Sequence, residues 1–131
     1  MILTVTLNAA LDVTYETPPV SRDGVNRVTA VHRRAGGKGV NVARVLAALG
    51  EEVLVTGLAG GLTGQAVERD LEEAGLAHAF VRVAGETRTT LVVAEPGAHT
   101  LFNEPGPRVT ADEFADFLRT YEALLGVARA V

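Results

Sequence analysis

Eight of the fourteen glycines in this chain fall between Gly36 and Gly64, where an even spread would place about three. A backbone so stripped of side chains must turn tightly there, or let something approach closely. The first cluster reads Ala35-Gly36-Gly37-Lys38-Gly39-Val40-Asn41 and holds the only lysine, every other basic side chain being arginine. Glycines at a helix start expose backbone N–H groups that the helix leaves unpaired, which suits a phosphorylated or polyhydroxylated ligand. Two nucleotide-binding fingerprints are excluded. The P-loop fails because His32 stands where its first glycine is needed and Gly39 follows Lys38 in place of Ser or Thr. The Gly-x-Gly-x-x-Gly pattern fails because Val42 occupies its last position.

Around this cluster the apolar periodicity alternates between that of strands and that of helices. Ile2 to Leu7 predicts a strand, and the almost unbroken apolar run Val53 to Ala59 predicts one buried on both faces. Between them, Val42, Val45, Leu46 and Leu49 mark a helix over Gly39–Leu49 that ends at Gly50. Thr63 is the expected cap of a second helix, with Val67, Leu71 and Ala74 on one face and a stop at Gly75; Ala79 to Val83 then returns as a strand. Thr110-Ala111-Asp112-Glu113 is a capping box for a third helix, whose buried stripe is Phe114, Phe117, Leu118, Tyr121 and Leu125. This order predicts an α/β fold, a parallel sheet covered by helices.

Four segments do not fit that layer. Residues 12–17, 26–34, 88–94 and 98–103 are short, β-branched and alternating, and predict a small, half-exposed antiparallel sheet inserted into the α/β body. Glu95-Pro96-Gly97-Ala98 joins the last two with type II turn chemistry. At the far end, Val127 to Val131 begins what reads as a further core strand with nothing after it, so the expectation is one incomplete domain over 1–131.

Charge and composition limit the ligand. A net charge of −4 argues against a nucleic-acid binder or an anionic lipid surface, and no spanning segment or secretory leader is legible, so the expected location is the cytoplasm. The absence of cysteine removes thiol chemistry and cysteine-ligated zinc, and His32, His78 and His99 are too scattered for a metal cluster. Asp12, just past the first strand, sits where parallel sheets bind ligands, and it can accept hydrogen bonds from sugar hydroxyls; Asn41 can both donate and accept beside it. Arg88 can make a forked contact with a phosphate. Arg33 and Arg34 read as exposed charges on a sheet edge.

Taken together, these residues resemble the amino-terminal part of the PfkB, or ribokinase-like, carbohydrate kinases. Within that family they are similar to the 1-phosphofructokinase and tagatose-6-phosphate kinase branch. The matching pieces are Thr6 to Asp12, Gly36 to Leu46, Gly57 to Gly64, Thr87-Arg88-Thr89 and Phe102 to Pro107, in family order. The resemblance implies a ribokinase-like body with a β lid that often forms a dimer contact. It also implies a phosphorylated hexose bound by Asp12, Gly37, Lys38, Gly39 and Asn41, with Arg88 and Lys38 near its phosphate. The family transfers phosphate from ATP with Mg2+, using the Asp of a Gly-Ala-Gly-Asp segment as base. No such segment occurs in these 131 residues. The chain is therefore expected to bind no nucleotide, to carry no catalytic residue and to be inactive as a kinase by itself. The alternative is a non-catalytic sugar-phosphate-binding or dimerising module, and pairing through the lid or through exposed sheet edges is the expected route to a homodimer.

Overall fold

The computed structural model describes residues 1–131. In chain order the elements are β1 (Ile2–Thr6), β2 (Ala10–Glu16), β3 (Ala30–Gly36), α1 (Lys38–Ala48), β4 (Val53–Ala59), α2 (Gly61–Glu73), β5 (Ala77–Arg82), β6 (Arg88–Glu95), β7 (Ala98–Asn103) and α3 (Ala111–Leu125). Strands β1, β4 and β5 form a parallel sheet in the order β1-β4-β5, with Thr4 opposite Val55 and Val55 opposite His78. Both faces of this sheet are covered, as the unbroken apolar run of β4 demands. On one face, Val40 and Ala43 of α1 and Val67 and Leu71 of α2 pack on Val53 and Val55. On the other, Phe117 of α3 packs on Leu58 and Val83, with Val5, Val81 and Tyr121 around them. Val40, Val67 and Leu71 are wholly buried, a burial that stabilises by about 1.5–3 kcal/mol per side chain.

The second sheet has the order β3-β2-β6-β7. Its outer ladders, β2 with β3 and β6 with β7, are antiparallel as expected, whereas the central pair, β2 with β6, is parallel. The connectivity explains the difference. β2 and β6 each leave the body just after one of its parallel strands, β1 and β5, so they depart in one direction and the returning strands flank them. The turn between β6 and β7 is built as read, with Gly97 at φ 79° and Glu95 paired to Ala98.

Several boundaries shift for local reasons. β3 begins at Ala30, not Asn26, because the Asn26 side chain accepts a hydrogen bond from Ser21 N at 2.8 Å and donates to Ser21 O at 2.7 Å, closing a loop of its own. α2 begins at Gly61 with Gly60 as N-cap, so Thr63 lies in its first turn and is not the cap. β5 begins two residues earlier than read, at Ala77, and ends one earlier, at Arg82. The Thr110 capping box is present as read, but of the stripe read as buried only Phe117 is so; Phe114, Leu118 and Leu125 are exposed because only one line of α3 meets the sheet. Val127 to Val131 forms no strand: Ala130 makes a single parallel bridge to Ile2, with Leu3 N donating to Ala130 O at 2.9 Å. No helix is long and apolar enough to cross a membrane.

Candidate functional site

The four connections between body and lid meet at the carboxyl end of the parallel sheet. Chemistry concentrates there because four stretches of loop backbone converge on one place. The β3–α1 connection is the glycine cluster. Gly37 has φ 113°, and a Cβ on Gly39 would lie 2.4 Å from Thr6 Oγ1 and 2.5 Å from Val5 O, so the first turn of α1 presses directly on the end of β1. Val40 N donates to Thr6 Oγ1 at 3.1 Å, while the N-cap residue, Gly37, has no side chain with which to cap the helix. Close packing thus already requires Gly37 and Gly39, and it leaves the partly positive helix start facing the space above β1.

Arg88, the first residue of β6, spans the other connections. Its Nε donates to Asn8 O at 3.3 Å in the β1–β2 connection, and an Nη donates to Glu104 O at 3.4 Å beyond β7. Asn8 in turn donates to Pro105 O at 3.1 Å. A cleft of about 290 Å³ opens between these loops, lined by Thr6, Asn8, Gly37, Lys38, Gly39 and Arg88. Neither Lys38 nor Arg88 has a carboxylate within ion-pair distance. Two uncompensated cations from different elements therefore share one concave surface with a helix N-terminus, and that combination attracts an anion.

Of the residues singled out from sequence, Gly37, Lys38, Gly39 and Arg88 come together in this cleft. Asp12 lies outside its lining, on β2, with Arg34 and Thr90 as its cross-strand neighbours. It is still close by, because a Cβ on Gly36 would lie 2.0 Å from Asp12 Oδ2. Asn41 is exposed in the first turn of α1 and does not line the cleft. Arg33 and Arg34 are exposed on the edge strand β3, as read.

Sequence reading missed the long-range contacts that hold these connections in place. Glu86 Oε1 accepts from Thr63 N at 2.5 Å at the start of α2, and Thr87 Oγ1 accepts from Gly60 N at 2.9 Å. Glu113 Oε1 accepts from Ala84 N at 2.7 Å while its other oxygen accepts from Thr110 N at 2.8 Å. The Glu86 carboxyl is held below its ordinary value by hydrogen bonds from the side chain and then the backbone of Thr63, and that of Glu113 by the N–H of Ala84 and then of Thr110. On the far side of the glycine cluster, Asp70 Oδ2 accepts from Ala35 N at 2.7 Å and pairs with Arg44, which also donates to Ala35 O. A signal for Glu86 was present in sequence: α2 opens on two glycines, so its cap had to come from elsewhere.

A model of the pfkB family of carbohydrate kinases matches residues 5–128. Among solved structures, a possible 1-phosphofructokinase from Thermotoga maritima is 33% identical at TM-score 0.89, with 98% of this chain and 42% of that chain covered. Phosphofructokinase-2 from Escherichia coli in complex with fructose-6-phosphate is 34% identical at TM-score 0.86, with 91% and 40% covered. The tetrameric inhibited form of the same enzyme is 34% identical at TM-score 0.84, with 91% and 40% covered. The chain spans about two fifths of the length of these structures.

Proposed function

The chain belongs to the pfkB family of carbohydrate kinases, and from that premise we propose that it is the sugar-phosphate-binding and lid portion of an ATP-dependent hexose-phosphate kinase. The observation that carries this reading is the cleft in which Lys38 and Arg88, both free of carboxylate partners, face the glycine-lined start of α1. Arg88 presents its guanidinium to the substrate's phosphate as a fork, and Lys38 adds a mobile point charge. The backbone at Gly37 and Gly39, where no side chain intervenes, accepts close approach of the sugar. Asp12 accepts a hydrogen bond from a sugar hydroxyl, and Asn41 serves a second hydroxyl from the helix start. The E. coli neighbour, whose complex holds fructose-6-phosphate, supports a phosphorylated hexose as the ligand class.

MgATP supplies the transferred phosphoryl group in such kinases. The residues present do not fit it: no group of three His, Asp or Glu side chains is placed to hold a metal ion, and the glycine cluster departs from the P-loop pattern. The 131 residues are therefore proposed to supply the acceptor side of the reaction only, binding sugar phosphate without turning it over. A coupled kinase assay that finds robust ATP-dependent turnover with this chain refutes that part. As a cytoplasmic sugar-phosphate binder it is proposed to pair with a second copy through the exposed lid face that carries Phe102 and Val31.

Titration calorimetry with fructose 1-phosphate, fructose 6-phosphate and tagatose 6-phosphate, beside unphosphorylated fructose, tests the central reading. At least one hexose phosphate binds, fructose does not, and Arg88→Gln weakens the complex at least about tenfold by removing a charge-assisted contact. Absence of binding by all three phosphates, or an unaffected Arg88→Gln, overturns it.

A further inference from the structure

Asp12 lies beside the cleft that holds Lys38 and Arg88, and its carboxylate is held from one side only. The register of the lid sheet sets Arg34, Asp12, Thr90 and Asn103 in a row across four strands, all on one face. Within that row Thr90 Oγ1 donates to Asp12 Oδ1. No other hydrogen bond from the chain reaches the Asp12 carboxylate, so Oδ2 remains free to accept. Gly36 lies directly beneath Oδ2, so near that even a methyl group would collide with it. Arg34, across the ladder, makes no ion pair with Asp12. The carboxylate therefore owes its orientation to a single hydroxyl and to the bare backbone of Gly36.

Such an arrangement has a chemical consequence. A carboxylate that must recognise one hydroxyl of a polyol has to present a lone pair in one direction. An unrestrained Asp χ2 rotates broadly, so each binding event would otherwise meet the entropy of fixing it. A threonine donor on Oδ1 polarises the carboxylate and points Oδ2 into the space above Gly36, next to the loop that carries Lys38. Being β-branched, Thr90 is itself stiff about χ1 in a strand, so the donor is fixed before the ligand arrives.

We propose that Thr90 is a positioning residue for sugar recognition. It orients Asp12 so that Oδ2 accepts a hydroxyl of the phosphorylated hexose, and it thereby makes hydroxyl recognition separable from phosphate recognition at Arg88 and Lys38. The proposal rests on the hexose-phosphate reading given above. It assigns Thr90 no contact with the substrate.

Calorimetric titration of the 131-residue protein with its tightest-binding hexose phosphate and with inorganic phosphate tests this. Thr90→Val, which keeps the shape and removes the hydroxyl, weakens the hexose phosphate about tenfold, the scale of one hydrogen bond to a charged group. It leaves inorganic phosphate, which Arg88 and Lys38 hold, unchanged. Thr90→Ser restores hexose-phosphate affinity to within about twofold of wild type, as a donor role requires and a packing role does not. In an Asp12→Ala background, Thr90→Val makes no further difference, because the group it positions is gone. Equal hexose-phosphate affinity of wild type and Thr90→Val, an equal loss for both phosphate ligands, failure of Thr90→Ser to rescue, or additive losses in the double variant each overturn the proposal alone. A wild type that binds inorganic phosphate but no hexose phosphate overturns the functional reading and this inference with it.

Discussion

Replacing Asp70 by alanine removes more than an ion pair, and its cost can be worked from the contacts. Asp70 accepts from the N–H of Ala35, a residue with no exposed surface, and pairs with Arg44; the two charged side chains are 27% and 20% exposed. Losing the acceptor leaves a buried donor unsatisfied, at about 1–3 kcal/mol. Losing the anion leaves the Arg44 cation mostly buried without a partner, and breaking such pairs costs about 3–5 kcal/mol in all. We expect Asp70→Ala to destabilise by about 4 kcal/mol, a large share of the stability of a domain this size. In urea this moves the unfolding midpoint down by about 2 M. Asp70→Asn keeps an oxygen for Ala35 N and loses only the charge, so it falls about midway. Asp116 offers the contrast, because it pairs with Arg119 on the surface of α3, where the two side chains are 52% and 70% exposed. Asp116→Ala costs less than about 0.5 kcal/mol. An Asp70→Ala variant within about 1 kcal/mol of wild type, or one no worse than Asp116→Ala, refutes the burial argument; an Asp70→Asn as damaging as the alanine refutes the role given to Ala35 N–H.

Acid unfolding reports the two carboxylates that hold the β5–β6 connection. Glu86 and Glu113 titrate below the ordinary 4.5 in the fold, so the stability they contribute is complete above that value and is lost as pH falls through their folded values. Urea midpoints measured between about pH 3 and about pH 6 should therefore fall less steeply with acid in Glu86→Gln and Glu113→Gln than in wild type. Gly39→Ala forces a methyl into Val5 O and Thr6 Oγ1 and should cost about 1–3 kcal/mol by overpacking, whereas Gly75→Ala, at φ 68° with open space around it, carries backbone strain of about 1–2 kcal/mol only. Thermal melts rank the two, with crowding at Thr6 disturbing the cleft in Gly39→Ala alone. In sedimentation velocity, Phe102→Asp on the lid face should shift the protein from dimer to monomer; a monomeric wild type counts against lid pairing.

Periodicity alone brings most of the body into view. The double-sided apolar run at Val53, the helical spacing from Val42 to Leu49 and the capping box at Thr110 are local signals, each decided by neighbours within a turn or two. What escaped were features set by residues far apart in sequence. Nothing near Asp12 announces that Thr90 lies opposite it, 78 positions away. The parallel β2–β6 pair depends on where β1 and β5 end, and strand alternation alone cannot report it. Asn26 is a local exception: it reads as part of an alternating strand, yet its side chain closes a loop with Ser21, five residues away, and ends the pairing. Site residues divide likewise. Lys38 and the glycines were legible because they are contiguous, and Arg88 was legible only beside its threonines, while the contacts of Glu86 with Thr63 N and of Glu113 with Ala84 N are to distant backbone groups that no local motif encodes.

The glycine cluster need not be assigned to packing or to binding, because the packing that requires the glycines also shapes the cleft proposed to bind the sugar phosphate. Gly39 is forced by the backbone of Val5 beside Thr6 Oγ1, and Gly36 leaves room for the Asp12 carboxylate. Each missing side chain brings a polar group of another element against the loop. The same close approach seats α1 on the end of β1, so its partly positive start opens where Arg88 already bridges Asn8 and Glu104. Arg88 gives two of its N–H donors to backbone carbonyls, which orient the guanidinium without neutralising its charge and leave the others free. A carboxylate in place of either carbonyl would hold the arginine as firmly and cancel the attraction for an anion. Fixing a cation with neutral acceptors while leaving Lys38 unpaired is therefore what separates this cleft from an ordinary surface ion-pair network. It also explains why the charge that matters sits in an acidic protein, where long-range attraction to phosphate is absent and only the local arrangement can supply it.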